Sequence, residues 1–306
     1  LEAVDIRPIG NDDGSDGYQL ELRSPGLFRG QGKTLTSRGI VLSAGALGTN
    51  HLLANCKHGG SLPNISDLLG QLVRTNSESV LAVTLPDDSI ETWNSVAISS
   101  SIHTDKDTHI EVVTYGQKGD FMNFLFTLLT GDGTRYTRIF ALLGNIIRQP
   151  VKFAKTLWPV GWSRRTIVLL VMQSLDNAIS FRHRKRWFGS GVRLTTEQDP
   201  DKPNPNYIDA GNKAAEWIAQ WNGGIAQSGF LEATANMPTT AHILGGVTIG
   251  SDAEHGVVDS HHRVFGYQNM VVCDGSVMPA NPGVNPSLTI CAMSEWAMSK
   301  VPSKEN

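Results

Sequence analysis

The chain is poor in the residues that commit a protein to a class early. Of its 306 residues only three are cysteine, Cys56, Cys273 and Cys291, too few and too scattered for a disulfide framework or a zinc site. No other metal site is expected. Charge is nearly balanced, at a formal net −3 with no basic stripe interleaved with aromatics, which leaves no electrostatic case for nucleic acid. Long hydrophobic runs are missing too: TIVLLVMQSL, at 166–175, is only ten residues and too short to span a bilayer. There is no signal-peptide pattern, no internal repeat and no low-complexity tail. The scarcity of cysteine suits a reducing compartment and leaves a cytoplasmic, peripheral or secreted location open.

What is present is patterned. The chain opens LEAVDIRPI without a methionine, an alternating run that reads like the middle of a longer protein. Residues 1–23 alternate like strands around an Asn-Asp-Asp-Gly turn. GIVLSAGALGTNHLL (39–53) reads as a buried strand, a glycine-containing turn and a helix start, a shape that lets a ligand approach the backbone. SVLAVTLPD, SVAISSSIH and HIEVVTY (109–115) read as strands, 120–148 as a mostly apolar helical stretch, and TIVLLVMQS and ISFRHR as strands again. A polar, proline-rich loop, TEQDPDKPNPNY, precedes a helix at about 211–222; MVVCDGS is a strand ending in a turn, and PSLTICAMSEWAMSKV (286–301) is the last helix. Strands and helices alternate at both ends around a strand-rich middle. This predicts an α/β domain, residues 1–75 and 236–306, interrupted by an inserted α+β domain at 76–235 on an antiparallel or mixed sheet.

Three stretches bear on chemistry. LFRGQGKT (27–34) nearly matches the phosphate loop G-x-x-x-x-G-K-[ST], but Leu27 stands where the first glycine must be, and the segment leads toward a strand. In DGSVMPANPGVNPSLTICA (274–292), Asn285 sits at a helix N-cap and Pro286 at the first helical position. The free N–H groups and dipole of such a helix favour an adjacent anion by roughly 0.3–2 kcal/mol. A well-capped helix and nothing more explains the Asn-Pro pair alone, but Asp274-Gly275 and Gly283 beside it allow close approach by a flat or phosphorylated ligand. In TTAHILGGVTIGSD (239–252), His242 precedes Gly245-Gly246, and a histidine titrating near neutrality is a natural base for a hydroxyl proton.

Together AHILGG and DGSVMPANPGVNPSLTICA resemble the C-terminal signature of the glucose–methanol–choline (GMC) oxidoreductases, in their cholesterol-oxidase-like branch, which reads H-P-L-G-G, D-G-S, then G-V-N-P and a terminal helix. VLSAGALGTNHLL resembles the family's flavin-touching A-G-x-x-x-T/S segment, and LPNISDLLGQLVRTNSE (62–78) resembles bacterial sterol-oxidase-like members. The resemblance implies FAD as cofactor, taking hydride from a carbinol carbon while His242 accepts or orients the hydroxyl proton and Asn285 holds the same oxygen. It places Ala44, Gly45, Asp274, Gly275, Asn285 and Pro286 at the cofactor, with the last helix aimed at the flavin pyrimidine edge. Glu111 in HIEVV matches a strand carboxylate that moves a proton during double-bond isomerisation, although an exposed strand carboxylate reads the same. Ile243 stands where the family has proline, and Ser287 where it often has a larger apolar residue.

The implied activity is FAD-dependent oxidation of an apolar, sterol-like secondary alcohol, a 3-hydroxysteroid first, with a smaller alcohol or sugar as the alternative. A module that keeps the fold and binds sterol or flavin without turnover is the non-enzyme alternative. The family's strand–GxGxxG–helix for the FAD adenosine occurs nowhere in the chain, so the expected partner is a missing N-terminal FAD-binding portion, and weak or no FAD binding is expected of the 306 residues alone. FAKTLWPVGWSRRTIVLLVMQ mixes aromatics with Lys155, Arg164 and Arg165. That mixture suits peripheral contact with a membrane surface, although core plus a solvated edge accounts for it more simply.

Overall fold

The computed structural model describes residues 1–25, 32–86, 91–185 and 192–303. In chain order the first elements are β1 (Glu2–Pro8), β2 (Tyr18–Arg23), β3 (Lys33–Ser37), β4 (Ile40–Leu42), α1 (Gly45–Gly59), β5 (Val73–Arg74) and β6 (Ser79–Thr84). Then come β7 (Ile98–His103), β8 (Thr108–Val113), β9 (Phe126–Leu128), α2 (Thr137–Arg148), α3 (Pro150–Thr156), α4 (Trp162–Arg165) and β10 (Thr166–Gln173). The chain ends with β11 (Ile179–Lys185), β12 (Val192–Gln198), α5 (Asp209–Asn222), β13 (Ile225–Gly229), α6 (Phe230–Ala235), β14 (Leu244–Gly245), β15 (Met270–Val272) and α7 (Ser287–Met298).

Six strands from the middle of the chain form one sheet, in the order β7-β8-β10-β6-β13-β9. Every neighbouring pair in it is antiparallel. The sequence TIVLLVMQ has no polar face, and β10 accordingly runs through the centre, buried on both sides. Leu170 faces both Glu111 of β8 and Val80 of β6 across the ladders. Because side chains alternate, Leu81, Val83, Ile110, Leu169 and Val171 fall on the opposite face, where α5 covers them through Ile208, Ala215 and Ala219. Gly211 is what lets that helix come close: a Cβ there would meet Val171 Cγ2 at 2.6 Å.

A second core gathers elements from the two ends of the chain around α1, with Leu52, Leu53, Val247, Met270 and Val272 fully or nearly buried. β4 and β15 pair there in parallel, Met270 opposite Ile40. The expected helical stretch at 120–148 divides into a 3-10 turn (Gly119–Leu125), β9 and α2. Phe126 and Leu128 bury into two different clusters, and sheet pairing with β13 holds them there against their helical pattern. Lys33 and Thr34 start β3, as a strand-directed reading of LFRGQGKT requires; Leu27 to Gln31 lie outside the described residues.

Candidate functional site

His242 reaches the site from a loop between α6 and β14. Its Nδ1 is hydrogen-bonded to Glu78 Oε1, 164 positions earlier in the chain. Glu78 is the last residue before β6 and its side chain has no solvent exposure. The other oxygen, Oε2, accepts from the Ala241 backbone N–H at 2.5 Å and from the Thr240 hydroxyl at 2.8 Å. A carboxylate buried with three donors around it is the arrangement that makes burial of a charge tolerable. Burial alone pushes the His242 imidazole toward its neutral form. The Glu78 hydrogen bond and charge outweigh that, Glu111 and Asn285 add to them, and the pKa is raised above 6.5.

Asn285 donates through Nδ2 to Glu111 Oε2 at 2.6 Å. Glu111 is buried, 6% exposed, on β8. It is therefore not the exposed strand carboxylate that its sequence equally allowed. His109, two residues earlier and so on the same face, places Nδ1 at 3.6 Å from Glu111 Oε1, and its ring stacks on His103 with centroids 4.3 Å apart. His242, Asn285 and Glu111 thus converge, and Glu78 and His109 complete the cluster.

The lead-in to Asn285 is tied to the lead-in to Glu78. Asn281 Oδ1 accepts from the N–H groups of Thr75 and Asn76 at 3.1 and 3.0 Å. In return Asn76 Oδ1 accepts from Gly283 N at 2.9 Å, and Asn76 Nδ2 donates to the Val284 carbonyl at 2.9 Å. Asn76 and Ser77 hold φ at 57° and 48°, a left-handed pair of non-glycine residues immediately before Glu78.

The helix start differs from its sequence reading by one residue. α7 begins at Ser287, Pro286 occupies the cap position, and no side chain caps the first turn. Asn285 lies one residue before the cap position, and its Nδ2 donates to Glu111. The consequence favours an anion, since the first-turn N–H groups are left without a side-chain acceptor.

Asp274 is buried and its carboxylate is fully used. Oδ2 accepts from Gly45 N at 3.1 Å and Thr49 Oγ1 at 2.5 Å, and Oδ1 from Ser276 N at 2.8 Å and Ser276 Oγ at 2.6 Å. It fixes the front of α1 to the turn after β15. Gly45, at φ 72°, has open space beside its Cα, and Ala44 is exposed, so backbone is accessible there. Gly275 is packed against Leu244 and Ile290, and Gly246 against the Asn50 carboxamide. The tight turn after His242 is therefore filled by protein atoms, with Asn50 donating to the Gly245 carbonyl at 3.1 Å.

Among the described residues no group of three or more His, Cys, Asp or Glu side chains could hold a metal ion, and no helix is long and apolar enough to cross a membrane. The three cysteines are free.

A family profile described as GMC oxidoreductase matches residues 189–294. The chain is 41% identical over 305 residues to a cholesterol oxidase of Acinetobacter baumannii, covering 99% of the chain and 54% of that protein. It is 42% identical over 296 residues to a cholesterol oxidase of Mycobacterium tuberculosis, covering 92% of the chain and 50% of that protein. The chain thus spans about half the length of these curated relatives. A solved structure, pyridoxine 4-oxidase from Mesorbium loti, shares the fold at a TM-score of 0.56 and 13% identity, over 97% of this chain and 56% of that one. With a matching family profile over residues 189–294 and 41–42% identity to cholesterol oxidases over nearly all of its own length, the chain belongs to the GMC oxidoreductases.

Proposed function

We infer that the protein oxidises a secondary alcohol, a 3-hydroxysteroid before smaller alcohols, and that His242 and Asn285 hold the reacting oxygen. The observation that carries this is the convergence of His242, Asn285 and Glu111, from three distant stretches, on one partly buried cluster. FAD, when bound, accepts the hydride that leaves the carbinol carbon. The residues on this chain fit such a group: the start of α7 offers N–H groups with no side-chain cap, and Gly45 leaves backbone accessible. In this assignment Ala44, Gly45, Gly275 and Pro286 line the cofactor site, and Asp274 shapes it by holding Gly45 and Thr49.

His242 takes the hydroxyl proton, so the O–H bond breaks as the carbonyl forms. Asn285 orients the oxygen and Glu111 together. Glu111 serves a following step, in which its carboxyl group removes a proton beside the new carbonyl and returns one further along, moving a neighbouring double bond into conjugation. Leu170 and Val80 lie in the same cross-strand row as Glu111, and that apolar stretch suits a hydrocarbon skeleton.

Two experiments separate the readings. Anaerobic addition of a 3β-hydroxysteroid, a short-chain alcohol or an aldose to the flavin-loaded full-length protein is expected to bleach flavin absorbance fastest with the steroid. Faster bleaching by the small alcohols moves the assignment to them, and no bleaching with any alcohol leaves a binding module. With a 3β-hydroxy-5-ene steroid, Glu111→Gln is expected to keep alcohol oxidation and lose the isomerised ketone; an unchanged product ratio removes Glu111 from that role.

Peripheral membrane contact is favoured by a separate observation. Phe140, Ile147, Val151 and Trp158, on and after α2 and α3, are 69%, 80%, 68% and 64% exposed, beside Arg148, Lys152 and Lys155. Sedimentation with vesicles rich in anionic lipid tests this, and binding that survives Ile147→Asp combined with Trp158→Asp would refute it.

A further inference from the structure

His242 is placed by its loop, but its charge and its tautomer are decided elsewhere. The Nδ1 atom faces Glu78, and a carboxylate can only accept, so the proton on that side of the ring belongs to Nδ1. Nε2 is then the nitrogen left for the Asn285 side chain, which also bonds the ring, and for the alcohol. Glu78 in turn cannot rotate away, because Ala241 N–H and the Thr240 hydroxyl hold its second oxygen and nothing exposes it to water.

We propose that Glu78 is the positioning residue of the proposed oxidation. It locks His242 in the tautomer whose Nε2 accepts the alcohol proton, and its negative charge raises the proton affinity of that nitrogen. The inference rests on His242 acting on the alcohol oxygen. Glu78 itself touches no substrate. The proton balance is closed within the pair: the alcohol O–H bond breaks, an Nε2–H bond forms, Nδ1 keeps its proton, and the resulting imidazolium lies against a carboxylate. A carboxylate behind a histidine does the same work in serine hydrolases.

Two other titratable groups face this pair, both on β8. Glu111 also favours the charged imidazole, and His109 lies behind Glu111, 3.6 Å from its Oε1. Neither bonds Nδ1, so neither sets the tautomer. The strained Asn76-Ser77 step just before Glu78 fits the same role. The backbone there is bent into the left-handed region while its side chains and N–H groups hold the 281–284 segment that leads to Asn285.

The test is the pH dependence of anaerobic flavin reduction by alcohol in the holoprotein, with a histidine NMR titration of the same protein. Glu78→Gln is expected to slow reduction by roughly 10²–10⁴-fold at its plateau and to move the rising limb of the profile to lower pH. The His242 midpoint in the NMR titration is expected to move down with it. Glu78→Asp, which keeps the charge, is expected to retain a raised midpoint even where the plateau falls. A slowed plateau with the midpoint unmoved in Glu78→Gln would make Glu78 a structural residue and overturn the proposal. The NMR arm needs no substrate: if no alcohol reduces the flavin, the oxidation reading fails while a displaced His242 midpoint still upholds the coupling, and an unmoved one refutes it.

Discussion

Glu78 and Glu232 are both sealed from water, 2% and 1% exposed, close to the start of β6, and they are partnered in opposite ways. Glu78 meets an imidazole, a backbone N–H and a hydroxyl. Glu232, on α6, leaves Oε1 without a hydrogen-bond partner. Its burial outweighs the pull of Ser79 and Arg138 and pushes its pKa up to about 7. The lesson is that depth alone does not decide how a buried carboxyl group is accommodated; the donors aimed at it do.

Linkage gives Glu232 and His242, the partner of Glu78, each a signature in stability. Glu232 binds its proton more tightly folded than unfolded, so its contribution is largest at low pH and is lost between about 4.5 and about 7, by about 3 kcal/mol in all. His242, also raised, contributes stability that is fully present below pH 6.5 and fades as pH rises through its folded value. Both make the protein less stable as pH climbs, Glu232 between about 4.5 and about 7 and His242 from about 6.5 upward.

The contrast can be broken from either side. The largest effect is expected from Glu78→Ala, which strips an acceptor from three donors and should cost about 3–5 kcal/mol in urea unfolding. A cost under about 1 kcal/mol would mean that water replaces the carboxylate and that the pocket is not sealed. Next is Glu232→Gln, which should abolish the fall in stability of about 3 kcal/mol between pH 4.5 and 7. Denaturation midpoints at pH 5 and pH 8 read this directly, and a slope equal to the parent's would assign it to another group. The smallest is Thr240→Val, which removes one donor from Glu78 and should cost about 1 kcal/mol while leaving the Ala241 contact in place.

The sequence made the frame of this picture readable. HIEVVTY and TIVLLVMQS were legible as strands, as β8 and β10 are. GVNPSLT located the start of α7 to within a residue. Glu78 was not legible as a site residue, since its partner His242 lies 164 positions away and TNSES reads as a polar loop before a strand. The usable signal was a carboxylate directly abutting a fully buried strand, where a charge needs a partner. Asn285 misled for the same reason: its N-cap reading is local, and the competing carboxylate of Glu111 sits 174 residues away. The division of 120–148 was hidden because pairing of β9 with β13 overrides local helical pattern.

All of this depends on the imidazole of His242 acting at the alcohol oxygen. The direct measurement is the rate of anaerobic flavin reduction by a 3β-hydroxysteroid in the flavin-loaded full-length protein carrying His242→Asn, a side chain that keeps a donor at the position of Nδ1, which faces Glu78. The account predicts a rate roughly 10²–10⁴-fold below that of the parent, with the folded state retained. A rate equal to the parent's would contradict it.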